Sequence, residues 1–218
     1  MYQCRHNGKS KKQDIRTRNI IIKNDEDEDE DEDANMAKTI TKEHNHIYFH
    51  SEVSRETVFE LIALIRKAEI ENIILAHNLS SDDAIPIYLH ISSYGGIVFD
   101  ALTAIDVITS CKVPVYTIIE GATASAGTLI SVVGKKRYIR QNAHMLIHQL
   151  SSCAWGKMNE LEDEFDNNKL LMEKIKNIYK KHANIPKKEL NEILKHDLWW
   201  EADKCMQYGL VDSIWNRT

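Results

Sequence analysis

The sequence predicts an α/β fold of parallel strands joined by helices, and three observations carry the prediction. Apolar, β-branched runs alternate with segments whose apolar residues recur at helical spacing, as where IPIYLHI (85–91) precedes the stripe Val98, Leu102, Ile105 and Ile108. Two of the strand-to-helix joints, SSYGG (92–96) and GATASAGT (121–128), are made of small residues. Late in the chain one stripe, Met158, Leu161, Phe165, Met172, Ile175 and Tyr179, runs through a charged segment of roughly 25 residues, longer than a typical globular helix. Such a helix protrudes from a compact domain, and a partner subunit is the natural cover for its stripe.

At 218 residues the chain suffices for one good-sized domain. Residues 1–43 read as a disordered leader. Its first part, Met1 to Asn24, holds seven Lys or Arg against Asp14, and an unbroken acidic run, DEDEDEDED, follows at 25–33. Translation from Met36 removes both. The body from Ala34 onward is close to neutral, so the net charge of −5 reflects the leader and gives no basic face for nucleic acid. No run is long enough to span a membrane, and the first residues lack an apolar signal core. Cys4, Cys111, Cys153 and Cys205 are scattered without metal-type spacing, which fits free thiols in the cytoplasm or another reducing compartment. His44, His46 and His50 lack the cysteine or carboxylate support of a metal site and read as partly exposed histidines.

The folded body is expected over 44–218. HIYFH (46–50) reads as a strand, Ser54 as an N-cap, and Val58, Leu61, Ile62 and Ile65 as the buried stripe of a first helix. HNLSSDD (77–83) is a loop before the apolar strand IPIYLHI, the SSYGG turn and the second helix. VPVYTIIE (113–120) is the next strand, and TLISVV (128–133) continues as a buried helix; KKRYIR (135–140) and HMLIH (144–148) are short strands. The long helix ends at Ile185 and Pro186. A shorter helix follows from about Lys187 to Lys195, then a helical piece between Trp199 and Tyr208 with Gly209 as its cap, and a last strand-like LVDSIW.

Parallel strands would set SSYGG and GATASAGT on one edge of the sheet, where α/β proteins place their sites. Ser125 stands there on a sharp bend among Gly121, Ala122, Ala124, Ala126 and Gly127, with a helix N-terminus aiming N–H groups at developing negative charge. Alone, such small residues more often serve close packing than chemistry. A serine needs a base and the base a carboxylate. His148 closes MLIH and would emerge from the sheet, whereas His144 lies at the other end of that strand; Asp197 follows a helix and precedes Trp199 and Trp200. By itself a strand-end histidine is more often structural, and an aspartate after a helix is usually a cap.

Together these segments resemble the ClpP-type self-compartmentalising serine proteases, over about residues 46–215. The matching pieces are SSYGG, FDALTAIDVI, GATASAG, MLIHQ and HDLWWEADKCMQYGLVDSI, with 49 residues from His148 to Asp197 and 29 from Gly96 to Ser125. The 23 residues from Ser125 to His148 are slightly fewer than the family pattern has, and Tyr94 stands where the family usually has proline. The leader does not resemble the family's N-terminal pore segment. The resemblance implies a crotonase-like β/α superhelix with a protruding handle helix. It also implies Ser125 as nucleophile, His148 as general base, Asp197 as orienting carboxylate, and the Gly96 and Ala126 N–H groups as oxyanion hole, without metal or organic cofactor. It further implies stacked heptameric rings of this chain, fed protein substrates by an AAA+ unfoldase that supplies the ATP use, since this chain has no Walker A motif. Two other readings share part of the pattern: a non-catalytic ring subunit, which would normally have lost a triad residue, and a crotonase-type acyl-CoA enzyme, which needs no serine–histidine pair.

Overall fold

In the computed structural model, which describes residues 39–216, the chain enters the sheet through a hairpin. Strand Ile40–Glu43 (β1) pairs antiparallel with His46–Phe49 (β2) across a two-residue turn in which His44 takes φ 52°. The folded body therefore starts before residue 44. In ITKE only Ile40 is apolar, so the strand reads as polar leader, yet Ile40 is buried in the core. The acidic run at 25–33 and Met36 lie outside the described residues.

Ser54 opens helix α1 (Arg55–Asn78) with a capping box: its side chain accepts from the Thr57 N–H, and the Thr57 hydroxyl accepts from the Ser54 N–H. Strand β3 (Ile87–Ser93) then lies parallel to β2, and helix α2 (Val98–Ser110) leads to β4 (Val115–Ala124), parallel to β3. These alternations are what the hydrophobic periodicity predicts.

Strand β4 is the hinge of the sheet. Its first half, Tyr116–Ile119, pairs with β5 (Lys136–Ile139), and its second half, Ala122–Ala124, pairs with β6 (His144–Leu146). Gly121 between the halves has φ 58°, a left-handed value that glycine adopts without strain, and the β3 register shifts here. Helix α3 (Ala126–Val132) begins directly past the end of β4. Beyond the long helix α4 (Met158–His182) come α5 (Lys187–Ile193), strand β7 (Trp200–Glu201) antiparallel to β6, helix α6 (Ala202–Gln207), and β8 (Ser213–Ile214) beside β5. The two-residue β7 lies inside the segment expected to be helical, because Trp200 pairs with Met145 before the helix can start.

The core joins Ile47, Phe49, Leu61, Ile65, Leu89 and Ile91 to Leu129 and Ile130 of α3, all at most 2 % exposed. The other face of the sheet is unlike it. Same-face positions bring together Tyr88, Tyr116, Tyr138 and Trp215, and beside them a chain of polar contacts: His46 Nδ1 to His90 Nε2 at 2.9 Å, His90 Nδ1 to Glu120 Oε1 at 2.9 Å, and Arg140 Nε to the same carboxylate at 3.1 Å. His50 adds a contact to Glu120 at 3.5 Å. Of the three histidines weighed as metal ligands, His50 thus reaches this carboxylate directly and His46 only through His90.

Helix α4 changes character along its length. Ile175, Ile178 and Tyr179 near its C-terminus are buried, while Met158, Phe165 and Leu170 in its first half are exposed. Arg137 closes the C-terminal region, its guanidinium pairing with Asp212 and donating to the Gly209 C=O at 2.7 Å.

Candidate active site

Ser125 stands alone between a strand that ends at Ala124 and a helix that begins at Ala126. Its backbone sits at φ 53°, ψ −126°, a region costing a non-glycine residue about 1–3 kcal/mol, so the surroundings must impose it. The Ser125 N–H donates to Leu146 C=O at 2.9 Å, and its carbonyl accepts from the Thr128 N–H at 3.0 Å and the Thr128 hydroxyl at 2.6 Å. That hydroxyl also meets the Tyr179 OH at 2.7 Å, which ties the bend to α4. Burial holds Tyr179 well above the usual phenol range, so it stays neutral and available for the bond. The Ser125 hydroxyl does not cap its own helix.

The glycine turn closes onto this bend. At Gly95, φ 94°, a Cβ would come within 2.6 Å of Ser125 Cβ and 3.0 Å of the Ala126 nitrogen, so only glycine lets the turn pack on Ser125. Gly96 bridges Val53 in parallel fashion: Val53 N–H donates to Gly95 C=O and Ile97 N–H donates to Val53 C=O, both at 2.8 Å. In such a bridge the middle residue's own N–H points the other way. The Gly96 N–H is therefore directed away from Val53. Ala126 contributes the second donor direction, because the first N–H groups of a helix have no intrahelical acceptor, whereas the Ser125 N–H is already engaged.

His148 lies two residues past β6, not within it; pairing of β6 with β4 sets Leu146 opposite Ala124 and carries His148 past Ser125. Two tethers then bring Asp197 to it. Gln149 N–H donates to Leu194 C=O at 2.7 Å, and Trp200 pairs with Met145, so the segment 195–199 is held at both ends against the histidine strand. Across the gap His148 Nδ1 and Asp197 Oδ1 lie 2.8 Å apart. That bond fixes the tautomer, with Nδ1 carrying the proton toward the carboxylate and Nε2 left as acceptor. Among the described residues no hydrogen bond joins Ser125 to His148; such bonds often close only when substrate binds. His144, at the other end of β6, turns instead to the Asn142 carbonyl at 3.2 Å.

The structure thus brings Ser125, Gly96, Ala126, His148 and Asp197 to one edge of the sheet. It also involves residues that sequence reasoning passed over. Gly95 is the close-approach residue, Ser93 holds its N–H through Oγ at 3.2 Å, and Thr128 and Tyr179 brace the bend. The glycine pair was a visible signal for Gly95; nothing in the sequence marks the Thr128–Tyr179 contact, which joins residues 51 apart.

A family model described as Clp protease matches residues 33–218. The chain is 29 % identical over 157 residues to the ATP-dependent Clp protease proteolytic subunit of Deinococcus radiodurans, covering 70 % of this chain and 77 % of the relative. It is 31 % identical over 147 residues to ATP-dependent Clp protease proteolytic subunit 2 of Treponema denticola, covering 66 % and 72 %. It is likewise 31 % identical over 139 residues to the ATP-dependent Clp protease proteolytic subunit of Streptococcus mutans, covering 62 % and 71 %. With the match extending over the whole α/β body described above, the chain belongs to the Clp protease family.

Proposed function

We propose that the chain is a serine endopeptidase, the proteolytic subunit of an ATP-dependent Clp-type protease, hydrolysing peptides and unfolded proteins through an acyl-enzyme. The observation that carries this is the meeting, on one sheet edge, of a serine on a strained bend and a histidine hydrogen-bonded at 2.8 Å to an aspartate. In the first step His148 Nε2 takes the Ser125 proton as Oγ attacks the peptide carbonyl carbon. The resulting oxyanion is held by the Gly96 and Ala126 N–H groups, while Asp197 stabilises the imidazolium. His148 then gives the proton to the departing amine and the C–N bond breaks, leaving an ester on Ser125. Water, deprotonated by His148, attacks that ester; the C–Oγ bond breaks, His148 returns the proton to Ser125 Oγ, and the acid leaves. The scheme asks no metal or organic cofactor of this chain.

The relatives' names speak of ATP dependence, and the sequence has no Walker A motif, so ATP use falls to a partner unfoldase of the AAA+ type. The exposed apolar residues on the first half of α4 support an assembly of this chain, in the form of two stacked heptameric rings. Among the described residues no helix is long and apolar enough to cross a membrane.

The test is peptide turnover by the purified assembly and its Ser125→Ala variant. Turnover in the parent with loss of at least about a thousandfold in the variant, at unchanged native mass, is expected. Turnover that survives the substitution would remove Ser125 from the mechanism.

A further inference from the structure

The face of the sheet away from the core carries a chain of titratable groups that the peptidase mechanism does not use. His90 on β3 is 2 % exposed, with Tyr48 stacked on its ring at 4.5 Å and Trp215 edge-on at 6.4 Å. Its Nδ1 faces Glu120 Oε1 at 2.9 Å, and its Nε2 faces His46 Nδ1 at the same distance. The Glu120 carboxyl, held down at about 2 by the His90 hydrogen bond, stays ionised and can only accept, so His90 Nδ1 carries the proton. Neutral His90 then accepts at Nε2, and His46 Nδ1 donates. A bond between two ring nitrogens holds one hydrogen. One extra proton enters the pair, on either ring, with that hydrogen kept and the Glu120 charge beside it. A second sets N–H against N–H and two cations side by side, and the bond must break.

The ring that can leave is His46. It is only partly buried, and it is stacked on Tyr88 at 4.7 Å. Across the hairpin it pairs with the exposed Glu43, the last residue of β1, beside the His44 turn. Side chains directly opposed on two strands share a face and lie within reach of each other. Burial, then the charge of His90, holds the His46 imidazole below the ordinary histidine range, while the Glu43 carboxylate pulls the other way. His50 and Arg140 flank Glu120 at 3.5 and 3.1 Å, at the far end of the chain from His46.

We propose that His46 is a proton-driven toggle for the β1–β2 hairpin. While the pair holds at most one extra proton, His90 keeps the His46 ring inward. When both rings are protonated, His46 turns outward to the Glu43 carboxylate, leaves Tyr88, and loosens the hairpin's hold on the sheet. Each position has its own partner, neutral His90 inside and anionic Glu43 outside. A histidine that folding makes harder to protonate binds fewer protons packed than free. The packed hairpin is therefore fully stable above the ordinary histidine value of about 6.5 and loses stability as pH falls below it. The toggle stands apart from the Ser125 chemistry and operates whether or not the chain cleaves peptides.

Amide hydrogen exchange read by mass spectrometry on the assembled full chain tests it, at about pH 7.5 and about pH 4.5, with rates corrected for the intrinsic effect of pH. The parent is compared with His46→Asn, which keeps a donor at the Nδ1 position but takes up no proton, and with Glu43→Gln, which removes the outward charge. Residues 101–108 of α2 serve as the reference. In the parent, residues 40–50 should lose about tenfold protection at the lower pH while the reference keeps its own. His46→Asn should hold its protection at both values, and the loss should shrink in Glu43→Gln. Equal protection of the parent hairpin at both values, or an acid loss in His46→Asn as large as in the parent, would overturn the toggle. An equal loss in the α2 reference would overturn it too, since acid would then be loosening the whole domain. Glu43 is exposed, so Glu43→Gln stays folded and decides the matter even where His46→Asn does not fold: an undiminished loss there would remove the outward position and the toggle with it.

Discussion

The two halves of the proposed active site are built differently. The serine half is part of the core: Ala124, Ala126 and Gly127 around Ser125 are buried, Gly95 fits against it with no room for a methyl group, and Thr128 and Tyr179 brace it from below. The aspartate half is a surface segment. The Asp197 side chain is 74 % exposed, its neighbours Leu198 and Trp199 are exposed as well, and position is set by tethers at Leu194 and Trp200. Strain is tolerable only where surrounding packing over-determines the backbone, so the bent serine has to sit in the core. A carboxylate that must stay ionised avoids the desolvation cost of burial by staying near water. Damage to the first half should therefore cost fold and activity together, and damage to the second should cost activity alone.

The sharpest break of that contrast is Asp197→Asn. Its side chain keeps the shape but favours the wrong histidine tautomer, and kcat should fall by about 10³–10⁴ while the melting temperature stays within about a degree. Steady-state kinetics alongside calorimetry check both; a large fall in melting temperature would place Asp197 among the structural residues. Gly95→Ala comes next. The added Cβ would lie 2.6 Å from Ser125 Cβ at a φ of 94°, so activity should fall by about 10² and stability by about 1–3 kcal/mol together. Retained stability with lost activity would show the turn to be softer than its packing implies.

These positions were unequally legible. The strand–helix alternation is written in hydrophobic spacing, and the site's edge follows from parallel strands, so the chain alone brought Ser125 and the glycine turn together. His148 and Asp197 became specific only through the family-like segments around them. The structure supplies what spacing cannot: the tethers Gln149–Leu194 and Trp200–Met145, and the split of β4 at Gly121 between two neighbours. Strand β1 escaped notice because one buried isoleucine among three polar residues leaves no pattern. The His46–His90–Glu120 chain escaped because cross-strand partners depend on register, which residue types do not fix.

Smaller effects refine the contrast. Tyr179→Phe deletes the hydroxyl that meets Thr128, 51 positions away, and should cost about 1 kcal/mol of stability with a few-fold loss of kcat. Chemical denaturation and kinetics on the same preparation test this, and an unchanged unfolding midpoint would remove the brace. The smallest effect lies on the opposite face of the sheet. The hydrogen bond from His90, helped by Arg140, holds the Glu120 carboxyl down at about 2 against an ordinary value near 4.3. A depressed carboxyl stabilises the fold above its unfolded pKa and loses that contribution as pH falls through the folded one. Melting temperature should therefore drop between about pH 4 and pH 2, and more shallowly in Glu120→Gln, with activity at neutral pH unchanged. An identical acid profile in the variant would contradict the assignment.

In the proposed mechanism His148, oriented by Asp197, activates Ser125. Labelling the assembled protein with a fluorophosphonate, and mapping the modified peptide by mass spectrometry in the parent and in His148→Ala, tests it most directly. Modification is expected at Ser125 and falls by at least about a hundredfold without the histidine. Labelling at another residue, or at Ser125 with equal speed in both proteins, would contradict it.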